Sequence, residues 1–341
     1  MTLITTMKVA ISSLISRDDS LIGKIKKILD DENIDSETIK RSDKMTTSNV
    51  DMVITAGGDR AILDYSHYVK EFSVPVLGVY ETDSTGFLGQ IDVSDLRKSI
   101  GRIKRGDYEI DNVCRLSVNV DGKEVEPVLN DISLFPRKSA TLMEYILKIN
   151  GNDIWHDNSD GVIISTPIGS TAYCMSAGGP MVLQKSQVFV IVPVNSMDNT
   201  RRPLIVPNTD RLEIEDILCR YLCEVILDGG KRVAVRKNIV CEKHEFPAKF
   251  VKLIKDSPMD IIAKKVKLAE ELLDMPPSAK LILKTLEYEG ELSQKDLSKR
   301  TMLPERTIRL SLSHLIQRGY VRKKTSLRDA RQKTYELNLK L

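Results

Sequence analysis

No run of apolar residues in this chain reaches the ~18 that a membrane-spanning helix needs. The N-terminal stretch MTLITTMKVAISSLIS lacks a basic start followed by a long apolar core, so no secretory leader is expected and the protein is read as cytoplasmic, with no membrane partner. Cysteine is sparse and odd in number: Cys114, Cys174, Cys219, Cys223 and Cys241. Five thiols without close even pairing argue against a secreted disulfide scaffold. Cys219-x3-Cys223 and Cys241-x2-His244 are only loosely zinc-like in spacing. The first pair lies in an apolar, strand-like run where free cysteine packs as a small hydrophobe, so no metal site is expected. His156 and Trp155 have no partner visible in sequence, and there is no internal repeat or low-complexity tract.

What is present is a chain of 341 residues, enough for two or three domains. Hydrophobic residues at 41% and charged residues at 29% are ordinary globular values and exclude global disorder. The net charge of +3 hides an asymmetry. From Pro276 to Leu341 there are 15 Lys and Arg against 7 Asp and Glu, while the remainder is mildly acidic. A basic segment of domain size on an acidic body points to nucleic-acid contact by that segment alone, although a solvated basic surface has the same composition.

Hydrophobic periodicity divides the chain. MKVAISSLIS, VDMVITAG and VPVLGVY read as short buried strands, and DSLIGKIKKILDD as a helix on the 3.6 period. This β-α-β rhythm predicts a parallel sheet with crossover helices over 1–107. Over 108–257 short strands alternate with turn signals in VNVDGKEVEP, ILKINGNDIW and EVILDGGKRVAV. Asp-Gly and Asn-Gly between alternating apolar residues predict hairpins and an antiparallel β domain, with AKFVKLIKD returning to it or closing it. Residues 258–275 are read as a linking amphipathic helix, ended by the prolines of MPPS, and 276–341 as a separate domain.

Two clusters carry chemistry. The strand VDMVITAG runs into Gly57-Gly58-Asp59-Arg60. Glycines there let the backbone approach a phosphate at a helix N-terminus, and Asp59 at the mouth of the turn is suited to act as a base toward a hydroxyl. A structural turn with an N-capping Asp has the same sequence. In the second cluster, DNSDGVIISTPIGSTAYCMSAGGP, a strand ends in a turn rich in backbone amides, hydroxyls and one aromatic ring, which suits adenine and ribose. Upstream, Asn130-Asp131 sets a side-chain amide beside a carboxylate able to hold vicinal ribose hydroxyls.

These pieces, with TGFLGQI, VNSMDNTRRPLIV and ILDGGKRV in the same order, resemble the NAD kinase family over about residues 7–270. The resemblance implies an α/β N-terminal domain plus an antiparallel all-β domain, assembled as a homo-oligomer, dimer or tetramer. It implies 2′-phosphorylation of NAD by ATP or polyphosphate with Mg. It assigns Asp59 as the base, Phe87 near the adenine end, and Asn130 and Asp131 to the dinucleotide. Asp160 falls to the nicotinamide part, and Thr171, Ala172, Tyr173 and Ser176 to the nucleotide pocket.

The chain departs from the family pattern on the phosphoryl-donor side. Gly-Gly-Asp-Gly-Thr has become Gly57-Gly58-Asp59-Arg60-Ala61, and the second phosphate-side segment lacks its Asn and one glycine and carries Glu81 and Asp83. Two readings follow. In the favoured one, donor binding is weak or lost, NAD or NADP is a ligand, and Arg60 pairs with a 2′-phosphate beside Gly57 and Gly58. The alternative is an active, ATP- or polyphosphate-dependent NAD kinase.

The basic segment reads as helix (SAKLILKTLEYE), short helix capped by Ser293, longer helix with Ile308, Leu312, Leu315 and Ile316 buried, then strand, basic loop and strand. It resembles an α+β winged helix of the MarR-like kind, implying double-stranded DNA as a partner. Arg306, Thr307, Arg309, Ser311 and Ser313 are placed on the recognition helix, and Lys323, Lys324, Arg328, Arg331 and Lys333 in the wing. On the favoured reading the whole is a ligand-responsive transcription regulator.

Overall fold

The computed structural model describes residues 7–12, 19–39, 49–81, 88, 91–138, 141–253, 263, 275–325 and 333–337. The chain forms two units, one of Met1–Val79 with Leu88–Ile262 and one of Tyr80–Phe87 with Ala263–Leu341.

The larger unit begins with the expected crossover pattern. Strands β1 (Lys8–Ser12), β2 (Asp35–Ile39), β3 (Met52–Ala56) and β4 (Val76–Tyr80) pair in parallel in the order β2-β1-β3-β4. Helix α1 (Asp19–Asp31) buries Leu21, Ile22, Ile25 and Leu29, one face of a 3.6-residue period. It covers one side of the sheet together with α3 (Leu96–Lys104), which follows the short β5 (Ile91–Asp92). Helix α2 (Gly58–Tyr68) covers the other side through Ile62, Leu63 and Tyr65. With both faces covered, β3 is buried at every position, as its continuous apolar run requires.

After β6 (Glu109–Val113) the chain builds two antiparallel sheets. Their strands are β7 (Leu116–Val120), β8 (Lys123–Glu124), β9 (Asp131–Pro136), β10 (Met143–Ile149), β11 (Asn152–Ser159) and β12 (Gly161–Ser165). After the single turn α4 (Tyr173–Ser176) come β13 (Val188–Val194), β14 (Leu204–Pro207), β15 (Leu212–Cys219), β16 (Cys223–Leu227), β17 (Lys231–Val235) and β18 (Ile239–Lys243). The strand orders are β11-β10-β15-β18-β7-β8 and β14-β13-β12-β9-β16-β17. Val118, Tyr145, Leu147 and Ile214 of the first sheet share one core with Leu134, Val162, Ile164 and Val225 of the second. The other face of β12 is covered too, with Ile163 packed against Cys174, Val190 and Val192. The Asp-Gly and Asn-Gly hairpins form as expected. Asp121 (φ 53°), Asn150 (φ 51°) and Asp228 (φ 46°) each precede a glycine that is also left-handed, at 83°, 78° and 65°.

One expectation is corrected. The segment AKFVKLIKD does not join the antiparallel sheets. Strand β19 (Ala248–Lys252) pairs in parallel with β4 and antiparallel with β6, inside the first sheet. Ala248 and Phe250 bury on the α2 side, and Val251 on the α1 side. Apolar residues on both faces suit a central strand of a covered sheet, and the segment lies too far along the chain for local pattern to assign it there.

The smaller unit runs α5 (Pro277–Glu289), β20 (Leu292–Ser293), α6 (Gln294–Thr301), α7 (Glu305–Gln317), β21 (Val321–Thr325) and β22 (Lys333–Leu337), with strand order β20-β22-β21. A capping box between Ser293 and Asp296 starts α6. Its core gathers Ile282, Leu286, Leu297, Ile308, Leu312, Leu315 and Tyr335. Two positions on α7 differ from expectation. Ile316 is 38% exposed, whereas Ser311 is only 5% exposed and its Oγ lies 2.8 Å from Ser278 Oγ. The buried stripe is 308-311-312-315, so Ser311 faces the core and the hydroxyl is satisfied by another helix. Arg306, Arg309, Ser313, Lys323, Lys324 and Lys333 are exposed and Thr307 is half-buried. Lys324 Nζ donates to Glu336 Oε2 at 2.6 Å. Arg328, Arg331 and, except for Ala263 and Met275, the linking helix expected at 258–275 lie outside the described residues. Among the described residues no helix is long and apolar enough to cross a membrane.

Candidate active site

Strand β3 ends at Gly57 (φ 123°) and Gly58 (φ 69°), conformations that L side chains rarely adopt. The turn is tied to the sheet by the Gly57 amide, which donates to the Val79 carbonyl at 3.0 Å. Helix α2 starts there with no side-chain cap from Gly57, so the positive end of the helix dipole lies at this turn. Asp59 stands in that first turn, and its Oδ1 accepts from the Leu88 amide at 2.7 Å. Phe87, the neighbour of that amide, lies outside the described residues.

Arg60 does not disturb the turn. The positive φ angles fall on residues 57 and 58, and Arg60 is already helical, so the position does not need glycine's freedom. Its side chain is 52% exposed, with Nε donating to Asp64 Oδ2 at 3.0 Å one helical turn on. Its guanidinium lies so close over Gly230 that a Cβ there would sit 2.2 Å from Nη2.

The Asn130-Asp131 segment is held with all its local backbone groups occupied. The Asp228 carboxylate accepts from the amides of Leu129 (3.0 Å), Asn130 (2.7 Å) and Asp131 (3.1 Å), and the Asp228 amide donates to the Asp131 carbonyl at 3.0 Å. Thr166 donates its hydroxyl to the Leu129 carbonyl at 2.6 Å and its amide to the Asn130 carbonyl at 2.8 Å. Gly169 lies against the same segment, so that a Cβ would be 2.1 Å from the Asn130 carbonyl oxygen. Asp131 is only 3% exposed. Burial, and then the nearby Asp228 charge, push its carboxyl up to about 8.

The glycine-rich turn after β12 continues from Gly169 through Thr171, whose hydroxyl donates to the Ile168 carbonyl at 3.2 Å, and Ala172 into α4. Tyr173 is exposed, its ring 6.0 Å from that of Phe135, and Ser176 closes the turn of helix. Asp160, between β11 and β12, is oriented by Asn195, whose Nδ2 donates to its Oδ2 at 2.8 Å.

Two functional supports escape a reading of the sequence. Asp228 sits in a turn whose Asp-Gly-Gly reads as a hairpin signal, and its anchor, His67 Nε2 at 2.7 Å, is 161 residues away. Arg115 is fully buried and donates to the carbonyls of Ser66 (2.8 Å), Val69 (2.7 Å) and Lys70 (2.9 Å), closing the C-terminal end of α2. Burial lowers its pKa to about 10 despite the Asp228 and Tyr65 charges. Only the presence of ILDGGKRV among the pieces of the resemblance pointed toward Asp228, and nothing local marks Arg115.

Comparison with known proteins fits this arrangement. Residues 8–108 match the ATP-NAD kinase N-terminal domain and residues 129–253 the ATP-NAD kinase C-terminal domain. The NAD kinase of Methanopyrus kandleri is 33% identical over 203 residues, 60% of this chain and 73% of that protein. That of Syntrophobacter fumaroxidans is 33% identical over 246 residues, 69% of this chain and 86% of that one. The crystal structure of an Archaeoglobus fulgidus NAD kinase in complex with ATP superposes with a TM-score of 0.65 at 25% identity, covering 76% of this chain and 99% of that one. Yeast NADH kinase complexed with NADH, at 18% identity and a TM-score of 0.66 over 77% of this chain and 88% of that one, shares the fold.

These findings overturn the favoured reading from sequence. Relatives named NAD kinase across the body of the chain support the kinase alternative over a ligand-responsive regulator, and neither the two family models nor these relatives and structures support a winged helix, DNA binding or transcription regulation for 276–341. Of the donor-side departures, Arg60 does not break the loop, because position 60 lies in the first turn of a helix, and Asp83 lies outside the described residues. With both domain models matched and relatives aligned over most of their own length, the chain belongs to the NAD kinase family.

Proposed function

We propose that this protein is an NAD kinase that transfers the terminal phosphoryl group of ATP, or of polyphosphate, to the 2′-hydroxyl of the adenosine ribose of NAD. Asp59 accepts the hydroxyl proton as the oxygen attacks phosphorus, the bond from phosphorus to the leaving phosphate oxygen breaks, and the products are NADP, a proton and either ADP or a polyphosphate one unit shorter. The observation that carries the reading is the shared scaffold of base and ribose segment. Asp59 starts α2, and the same helix reaches through His67 to the carboxylate that fixes residues 129–131. Asn130 and Asp131 hold the ribose and Asp160 meets the nicotinamide part. Thr171, Ala172, Tyr173 and Ser176 line the adenine side, with the exposed Tyr173 ring available for stacking.

The amides at the start of α2, after Gly57 and Gly58, supply positive field for the donor phosphates, and Arg60 adds a cation one residue from the base. Among the described residues no group of three or more His, Cys, Asp or Glu is arranged to hold a metal ion. The divalent cation is expected to enter with the donor, ligated by its phosphates, as is usual for Mg²⁺.

The test is turnover of purified chain with NAD, Mg²⁺ and ATP, with NADP quantified enzymatically and Asp59→Asn run in parallel. The expected loss in Asp59→Asn is about 10²- to 10⁴-fold. Equal turnover by the two proteins removes Asp59 from the chemistry.

A further inference from the structure

The turn Asp228-Gly229-Gly230, between β16 and β17, has no part in the proposed chemistry, yet it touches α2 and the ribose segment together. Its carboxylate takes three backbone amides at 129–131 and the imidazole of His67, near the C-terminal end of α2. Its last glycine lies under the Arg60 guanidinium, on the first turn of the same helix. We propose that Asp228 is a positioning residue for dinucleotide binding, a joint that fixes the Asn130-Asp131 segment to the helix bearing Asp59. The inference rests on the kinase reading.

The physical case is one of unsatisfied donors. The Asp228 side chain is almost wholly buried, so removing one of its acceptor oxygens leaves buried amides without a partner, and the segment moves to find one. Ribose recognition by two adjacent side chains tolerates little such movement, since ~1 Å of misplacement costs about a hundredfold in rate.

The fold contains its own control. Asp121, in the turn between β7 and β8, builds the same device. Its carboxylate accepts from the amides of Arg236 (2.9 Å), Lys237 (2.7 Å) and Asn238 (3.1 Å). That cradle lies on the other sheet and holds none of the site residues. A stabilising role alone leaves the NAD Kd unchanged when either carboxylate is altered, whereas a positioning role raises it for Asp228 only.

The experiment compares full-length wild type, Asp228→Asn, Asp121→Asn and His67→Leu. The readouts are the Kd for NAD by titration calorimetry, the KM for ATP, the melting temperature, and amide exchange of the 129–131 segment. Asp228→Asn is expected to raise the NAD Kd about tenfold and to speed exchange at 129–131, with the ATP KM within about twofold. Asp121→Asn is expected to lower the melting temperature and leave the NAD Kd unchanged. A folded Asp228→Asn protein that binds NAD as tightly as wild type overturns the inference. If Asp228→Asn does not fold, His67→Leu decides: it keeps the carboxylate and removes its anchor, a severalfold weaker NAD Kd supports the joint, and an unchanged Kd overturns it. A wild-type chain that binds no NAD overturns the kinase reading and this inference together, whereas tight wild-type binding with an unaffected Asp228→Asn overturns the inference alone.

Discussion

Asp131 bears a cost of its surroundings that can be read out by pH. Burial first, and the Asp228 carboxylate second, raise its carboxyl from 3.8 to about 8. The folded chain therefore keeps a proton that the unfolded chain has already released, so stability falls as pH rises from about 4 to about 8 and levels off above. Thermal melts of wild type and Asp131→Asn at intervals across that range test this. The Asn variant is expected to lose this downward component, and parallel curves for the two proteins would show that Asp131 does not carry it. Asp59, Asn130 and Asp131, the residues of the proposed site, stand out in the sequence because they sit in short motifs beside turns. Asp228 and Arg115 are not, because what defines them is contact. Asp228 meets Asn130 across 98 residues, and Arg115 meets the Ser66 carbonyl across 49.

Helix α2 is the element on which the site depends, and both of its ends are argued from the same rule of satisfied backbone groups. At its start the Gly57 amide donates to the Val79 carbonyl; at its end Arg115 takes up the carbonyls that the helix cannot use itself. Arg115→Met keeps much of the bulk but leaves those carbonyls buried without a donor, and is expected to cost about 3 kcal/mol in urea unfolding. A change below experimental error there would mean that water replaces the guanidinium. In the turn after β12, Gly169→Ala forces a methyl group into the Asn130 backbone, where no flexible side chain can yield. Overpacking of that kind is expected to cost about 1–3 kcal/mol and to weaken NAD binding as well, checked by melting and titration. The hairpins were legible because Asp-Gly and Asn-Gly force their turn type. The place of β19 and the inward face of Ser311 were not, since strand partners and the exact stripe of a helix are settled by tertiary packing.

For the molecule as a whole, the change of texture from β-α-β rhythm to hairpins gave the two architectures of the body, and the charge asymmetry marked off the C-terminal segment. The same asymmetry suggested the wrong function. A basic segment is a solvated surface unless something else speaks for a polyanion, and in this chain Lys324 and Arg322 share the carboxylate of Glu336. The departures around the glycine loop suggested a dead donor site, yet the loop keeps its left-handed glycines, the helix N-terminus that follows them and its aspartate. Arg60 is then expected to help rather than hinder the donor. Arg60→Ala should raise the KM for ATP about threefold to tenfold and leave the NAD Kd unchanged, in keeping with one lost charge-assisted contact to phosphate. A lowered KM in steady-state kinetics would reverse that assignment.

The most direct measurement is the stoichiometry of a single reaction. Purified full-length protein, NAD and Mg-ATP are incubated, and NADP and ADP are quantified together by chromatography over time. Formation of the two products in equal amounts is the expected result. ADP without NADP, or neither product from a chain that demonstrably binds NAD, would contradict the kinase.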